Sequence, residues 1–85
     1  MGEKEIGRIS HYYGNLSVAV VDLTGSLAVK EWVAIRGATT DFEQVVKSIQ
    51  IDHRNIESAG KGQSIGLMVK SKARAGDRVY KLNGD

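Results

Sequence analysis

Residues 59–70, AGKGQSIGLMVK, and residues 76–81, GDRVYK, indicate the fold of this 85-residue chain most clearly. Each begins with a glycine-bearing turn and continues as a short run in which apolar residues alternate with others. Residues 27–35, LAVKEWVAI, show a related succession of turn and strand. Alternation with a period of two is typical of half-buried β-strands, and glycine supplies the backbone freedom of tight turns. The three segments together predict an all-β fold.

Six strand-like runs, separated by turn residues, extend this pattern over the whole chain. The predicted strands span residues 6–10, 16–23, 32–36, 42–52, 64–70 and 78–82. Several short strands with regular turn signals are typical of a β-sandwich or a β-barrel. In the fifth and sixth strands we expect Ile65, Leu67, Val69 and Val79 to point into the core. Residues 55–59 predict one short helical turn.

Residues 42–51 fit two secondary structures. Phe42, Val45, Val46 and Ile49 fall at helical spacing, and the pattern by itself favours helix and strand equally. The β-strands predicted on both sides favour a strand. The adjacent Val45 and Val46 then interrupt the alternation, which predicts a bulge or a bend.

Length and composition predict a single domain over residues 1–85, with a short disordered tail from about residue 83. The chain has no cysteine, and its 12 basic and 10 acidic residues leave a net charge of +2. Neither disulfides nor thiolate metal sites are therefore available, and the charge is weak evidence for nucleic-acid binding. No apolar run approaches the roughly 20 residues of a membrane helix. We expect a cytoplasmic protein with no membrane partner.

The order of these elements resembles the second, β-barrel domain of translational GTPases such as elongation factor Tu. The resemblance rests on the turn at residues 25–29, the strand at residues 32–35, and residues 59–67 and 76–79. Residues 11–21 and 37–42 are similar to stand-alone translation elongation factor-like proteins. Related barrels are also appended to collagenase-like peptidases. The resemblance implies a small six-stranded closed β-barrel of the reductase/isomerase/elongation factor type.

One corner departs from that pattern. The third strand of the family usually follows a Gly-Asp turn, and this chain has Lys30 and Glu31 there. A positive φ is costly for a residue with a Cβ atom. We therefore expect the corner to be built differently.

Nucleotide and metal chemistry are not expected. The stretch from Gly60 to Ser64 lacks the upstream glycine of a phosphate-binding loop and precedes a strand. His11 and His53 are the chain's two histidines and are far apart in sequence. We expect no cofactor, no bound nucleotide, no metal and no catalytic residue.

The first predicted turn carries the strongest candidate binding residues, which are Arg8, His11, Tyr12, Tyr13 and Asn15. Aromatic rings beside a cation can stack on an exposed nucleic-acid base. The alternative is that one tyrosine packs on the end of the barrel while the other lies at the surface.

A second set of candidates comprises Lys70, Lys72, Arg74 and Trp32. In an extended chain the three basic residues share one face and could follow a phosphate backbone, or they could be solvated charges that protect a hairpin. Trp32 could anchor a partner or cap an open barrel end.

Two functions remain open from the sequence. The first is a non-enzymatic adaptor that binds RNA (tRNA or ribosomal RNA) or the translation apparatus. The alternative is a protein-interaction module that docks on a partner enzyme such as a peptidase, or self-associates. The sequence does not predict an oligomeric state.

Overall fold

The computed structural model describes residues 2–83, which form ten β-strands and no helix. The strands are β1 (Gly2–Tyr13), β2 (Val18–Leu23), β3 (Leu27–Ala28), β4 (Trp32–Arg36), β5 (Asp41–Val45), β6 (Ile49–Ile51), β7 (Arg54–Ile56), β8 (Ser58–Ala59), β9 (Ser64–Met68) and β10 (Arg78–Asn83). The all-β prediction is confirmed. The tail predicted from residue 83 falls largely on residues 84 and 85, which lie outside the described residues.

Eight strands form one antiparallel sheet in the order β5-β4-β10-β1-β2-β9-β6-β7, and β3 pairs with β8 in a small second sheet. The large sheet is open, since over residues 2–83 no backbone ladder joins its terminal strands β5 and β7. The prediction of a six-stranded closed barrel is therefore wrong in its closure and in its strand number. Gln44 of β5 instead reaches across to the end of β9 through its side chain.

The strand interpretation of residues 42–52 is confirmed, with an interruption. β5 ends at Val45 and β6 begins at Ile49, and the predicted bend lies between them. Val46 lies just after β5 and is hydrogen-bonded to the segment between β3 and β4. Its amide donates to the Glu31 carbonyl over 2.8 Å. The helical turn predicted for residues 55–59 is wrong, because these residues belong mostly to β7 and β8.

The core consists of alternate apolar side chains from most strands. Ile6, Ile9, Val21, Ile35 and Ile49 are among the fully buried ones, and the predicted core residues Ile65, Leu67, Val69 and Val79 are buried with them. Fully burying one such side chain stabilises a fold by about 1.5–3 kcal/mol. The glycines of the β8–β9 and β9–β10 connections include two with positive φ, Gly62 at 92° and Gly76 at 95°.

The corner before β4 keeps a positive φ without glycine. Lys30 has φ of 84°, so the expectation that this corner avoids the left-handed region is wrong. The Lys30 amide donates to the Val46 carbonyl over 2.7 Å, and the Ala28 amide donates to the Glu31 carboxylate over 2.8 Å. These hydrogen bonds offset the strain of the lysine backbone.

Ion pairs connect the strands on the outer face of the sheet. The Arg36 guanidinium bonds the Glu3 carboxylate and lies 3.3 Å from Asp41 Oδ1 and 3.5 Å from Glu43 Oε2. The same guanidinium lies 5.9 Å from the ring centroid of Tyr80. The hydrogen bond to Glu3 is the main cause that raises the pKa of Arg36 above its ordinary value.

Candidate functional site

A cleft opens where the sheet fails to close, between β5 and the end of β9. It encloses about 330 Å³ and is lined by Trp32, Gln44, Val45, Lys47, Met68, Val69 and Lys70. Its residues come from the start of β4, from β5 and the segment after it, and from the end of β9 and the segment after it. The site is therefore assembled from three parts of the chain that are distant in sequence.

Two large apolar side chains in the cleft face solvent. Trp32 is 53% exposed and Met68 is 54% exposed, although the domain buries most of its other large apolar residues. Trp32 pairs with Val45 at the start of β4, and Met68 pairs with Val18 at the end of β9. An aromatic ring beside a flexible thioether is a surface that adapts to apolar partners.

Gln44 is the buried polar residue of this cleft. Its Nε2 donates to the Met68 carbonyl over 2.8 Å, and its Oε1 accepts from the Lys70 amide over 2.8 Å. One side chain thus satisfies two backbone groups that a neighbouring strand would otherwise pair. We call the gap between β5 and the end of β9 the seam. Because both polar atoms of the carboxamide are engaged, Gln44 holds the two sides of this seam at a fixed separation.

Both charged residues of the cleft are cations. Lys47 follows β5 and Lys70 follows β9, so each flanks the seam from its own side. No carboxylate lines the cleft, and across residues 2–83 neither lysine forms an ion pair with an acidic side chain. The cleft therefore combines an apolar centre with a positive rim.

The structure brings together two of the residues predicted from sequence, Trp32 and Lys70. The other cleft residues were missed. The available signal was Gln44, a polar residue on the same inward face as Phe42 and Val46. A polar side chain at a core position indicates either a hydrogen-bonded bridge or a functional group.

The predicted aromatic turn lies mostly in strand β1, which extends to Tyr13. A shift of register between Ile9 and His11 turns Tyr12 toward the core and leaves His11 and Tyr13 exposed. The rings of His11 and Tyr13 meet edge to face, with centroids 4.3 Å apart and planes inclined at 62°. One tyrosine therefore packs on the core and the other lies at the surface.

The remaining predicted residues lie outside the cleft. Arg8 is exposed in β1, opposite Asp22 of β2, and Asn15 is in the turn before β2. Lys72 and Arg74 are exposed in the connection between β9 and β10, which is a loop and not a strand. These residues do not form one contiguous site with Trp32.

Among the described residues, no fully buried side-chain nitrogen or oxygen atom lacks a hydrogen-bond partner. Over the same residues, no group of three or more histidine, cysteine or acidic side chains could hold a metal ion. Residues 2–83 also contain no helix that is long and apolar enough to cross a membrane.

A solved protein domain has the same fold as this chain. The Cα trace superimposes on the C-terminal domain of a Geobacillus thermoleovorans protein described as a U32 peptidase, with a TM-score of 0.88, 19% identity, and coverage of 94% of this chain and 93% of that one. Its selenomethionine variant gives a TM-score of 0.85 at 19% identity, over 89% and 96% of the two chains. The chain has the fold of that C-terminal domain.

Sequence similarity points to the same class of proteins. The chain is 43% identical over 79 residues to an uncharacterised protease of Methanocaldococcus jannaschii, and 32% identical over 80 residues to a collagenase of Porphyromonas gingivalis. Each alignment covers 92% of this chain but only 19% and 22% of the relatives, so the chain spans about a fifth of their length. No protein-family model matches the sequence.

These comparisons correct three expectations. The resemblance to elongation factors is wrong, because the similar sequences and structures are peptidases and a collagenase. The translation-factor and RNA-binding interpretation has no support among them. The expectation that the chain is not an enzyme is contradicted as well, since the relatives are named protease and collagenase. The likeness to domains appended to collagenase-like peptidases agrees with the names of these relatives.

Proposed function

We propose that the chain is a docking module that packs against the peptidase portion of proteins like these relatives, with the Trp32–Met68 cleft as its contact surface. The observation that carries the proposal is that Trp32 and Met68 are both exposed in the cleft that the buried, hydrogen-bonded Gln44 also lines. Tryptophan and methionine are both enriched in the buried centres of protein interfaces.

The exposed area of Trp32 and Met68 indicates how much free energy a partner could gain by covering them. A tryptophan side chain buries up to about 250 Å², so the exposed half of Trp32 offers about 130 Å². At about 25 cal/mol per Å², covering that area contributes roughly 3 kcal/mol before the costs of association. Met68, which is 54% exposed, adds about 1–2 kcal/mol, because fully burying a methionine side chain contributes about 1.5–3 kcal/mol. A partner that fills the cleft thus gains roughly 4–5 kcal/mol, the lower end of the roughly 4–15 kcal/mol that association costs, so contacts around the cleft supply the rest.

The relatives suggest the partner. The matched segment is about a fifth of each relative, so it accompanies a much larger remainder. We define the peptidase body as the Methanocaldococcus relative without its 79 matched residues. We expect the 85-residue chain to bind the peptidase body in a one-to-one complex.

The test is a titration of labelled peptidase body with the chain, followed by sedimentation of the mixture. Trp32→Ala should weaken binding by about 30-fold, the loss typical of an interface hot spot. Leu16→Ala is the matched control, because Leu16 is 63% exposed and does not line the cleft. Absence of a complex, or equal losses in the two variants, would contradict the proposal. A dimer of the chain alone that Trp32→Ala dissociates would favour self-association instead.

A further inference from the structure

We propose that the cleft takes an acidic, extended segment of the peptidase body, which inserts one bulky apolar side chain between Trp32 and Met68 and places carboxylates against Lys47 and Lys70. This inference rests on the proposed function, and it specifies the chemistry of the docking partner. It follows from the charge of the cleft and from its division into an apolar centre and two cationic flanks.

The apolar centre sets the size of the inserted group. The cleft has a volume of about 330 Å³, and the half-exposed Trp32 and Met68 line it together with the hydrogen-bonded Gln44. Space of this size admits one large aliphatic or aromatic side chain together with the backbone that carries it. Both polar atoms of the Gln44 carboxamide are already engaged with backbone groups, which favours an apolar inserted side chain.

The cationic flanks set the charge of the segment. Lys47 and Lys70 both line the cleft, and no acidic residue lines it with them. Acidic residues on the adjoining strands are engaged elsewhere. Glu31 accepts from the Ala28 amide and lies 3.5 Å from Lys81 Nζ, and Glu43 lies 3.5 Å from Arg36 Nη2. The two lysines are therefore available to carboxylates of a partner, and complementary charge gives such contacts their specificity.

The competing explanation is that these lysines only keep the exposed edge strand β5 from pairing with other chains. That role depends on their being charged and does not depend on the sign of the charge. Replacing lysine by glutamate therefore separates the two explanations. Lys61, in the turn before β9, is the matched control, because it lies at the opposite end of that strand from Met68.

The experiment measures the affinity of the peptidase body for the wild-type chain, Lys47→Glu, Lys70→Glu, the double variant and Lys61→Glu. Titrations at about 50 mM and about 500 mM NaCl distinguish charge contacts from apolar ones, because the Debye length falls with ionic strength. We expect the double variant to lose at least about tenfold in affinity at low salt and much less at high salt. Lys61→Glu should stay within about twofold, and Trp32→Ala should bind weakly at both salt concentrations.

Four results would overturn the inference. If Trp32→Ala weakens binding but the double charge variant does not, the cleft docks an uncharged segment and the proposed function stands. If Lys61→Glu weakens binding as much as the double variant, the charge effect is not local to the cleft. A salt-independent loss in the double variant would show damage to the surface in place of lost charge attraction. If the wild-type chain does not bind the peptidase body, both proposals fail. Circular dichroism shows before each titration that the variants keep the fold of the wild-type chain and that the peptidase body is folded without its matched residues.

Discussion

Replacing Gln44 by leucine should destabilise the domain by about 3 kcal/mol. The substitution keeps the volume of the side chain but leaves the Met68 carbonyl and the Lys70 amide without their 2.8 Å partners. Each unpaired buried group costs about 1–3 kcal/mol, and the open cleft admits some water, so about 2 kcal/mol per group is reasonable. Burial of the leucine side chain returns about 1 kcal/mol. The sum is a large fraction of the roughly 4–13 kcal/mol expected for 85 residues.

Urea denaturation followed by circular dichroism measures this loss, and the melting temperature should fall by about 12–24 °C. Gln50→Leu is the matched control, because the Gln50 amide bonds Asn55 at an exposed position of β6 and its loss should cost under about 0.5 kcal/mol. The Lys70 amide should also exchange its hydrogen faster in Gln44→Leu, which separates local opening of the seam from global unfolding. The reasoning is refuted if Gln44→Leu unfolds within about 0.5 kcal/mol of wild type, or if the control costs as much.

Further predictions concern the close approach at Gly37, the strained backbone of Lys30 and the ion pairs of Arg36. Gly37→Ala should cost about 1–3 kcal/mol, because its Cβ would overlap the Asp77 carboxylate, whereas Gly60→Ala, with no atom within 4 Å of the new Cβ, should be neutral in the same urea denaturation. Lys30→Gly should stabilise the domain by about 1 kcal/mol by relieving a φ of 84°, and a lower thermal midpoint would show that the lysine side chain matters more than the strain. Arg36→Met should lower the thermal midpoint more at low salt than at about 1 M NaCl, since its ion pairs are exposed. Because the pKa of Arg36 is raised, its contribution to stability is complete below the ordinary arginine pKa and is lost only as pH rises through the raised value. The fall in thermal midpoint caused by Arg36→Met should therefore be as large at about pH 9 as at about pH 7. A markedly smaller fall at about pH 9 would contradict this assignment.

Much of the fold was predictable because local rules agreed with one another along most of the chain. Alternation placed Ile65, Leu67, Val69 and Val79 in the core, and the glycines of residues 60–62 and 76 marked turns. The strand at residues 32–36 has the predicted limits. Prediction was weaker where elements are very short, as in β3, β7 and β8. Two or three residues carry too little pattern to be distinguished from a turn.

The candidate site was predictable only in part, because its residues meet through pairing between distant strands. Trp32 and Lys70 could be singled out by residue type, but nothing local to either position brings them together. Gln44 was missed because its role depends on the Met68 carbonyl and the Lys70 amide, which lie 24 and 26 residues away. A polar residue at a core position of a strand was its one visible sign.

The sequence by itself determined that this chain is all-β, where most of its strands lie and which side chains fill the core, because these properties depend on alternation and turn chemistry within a few residues. Tertiary structure decided three other properties: that the sheet stays open, that Tyr12 and not Tyr13 faces the core, and that a cleft forms beside Trp32. Each depends on register between strands. The extra residue in β1 reverses which face of the sheet each later side chain of that strand occupies. At the seam, the Gln44 side chain forms the hydrogen bonds that a backbone ladder would otherwise form.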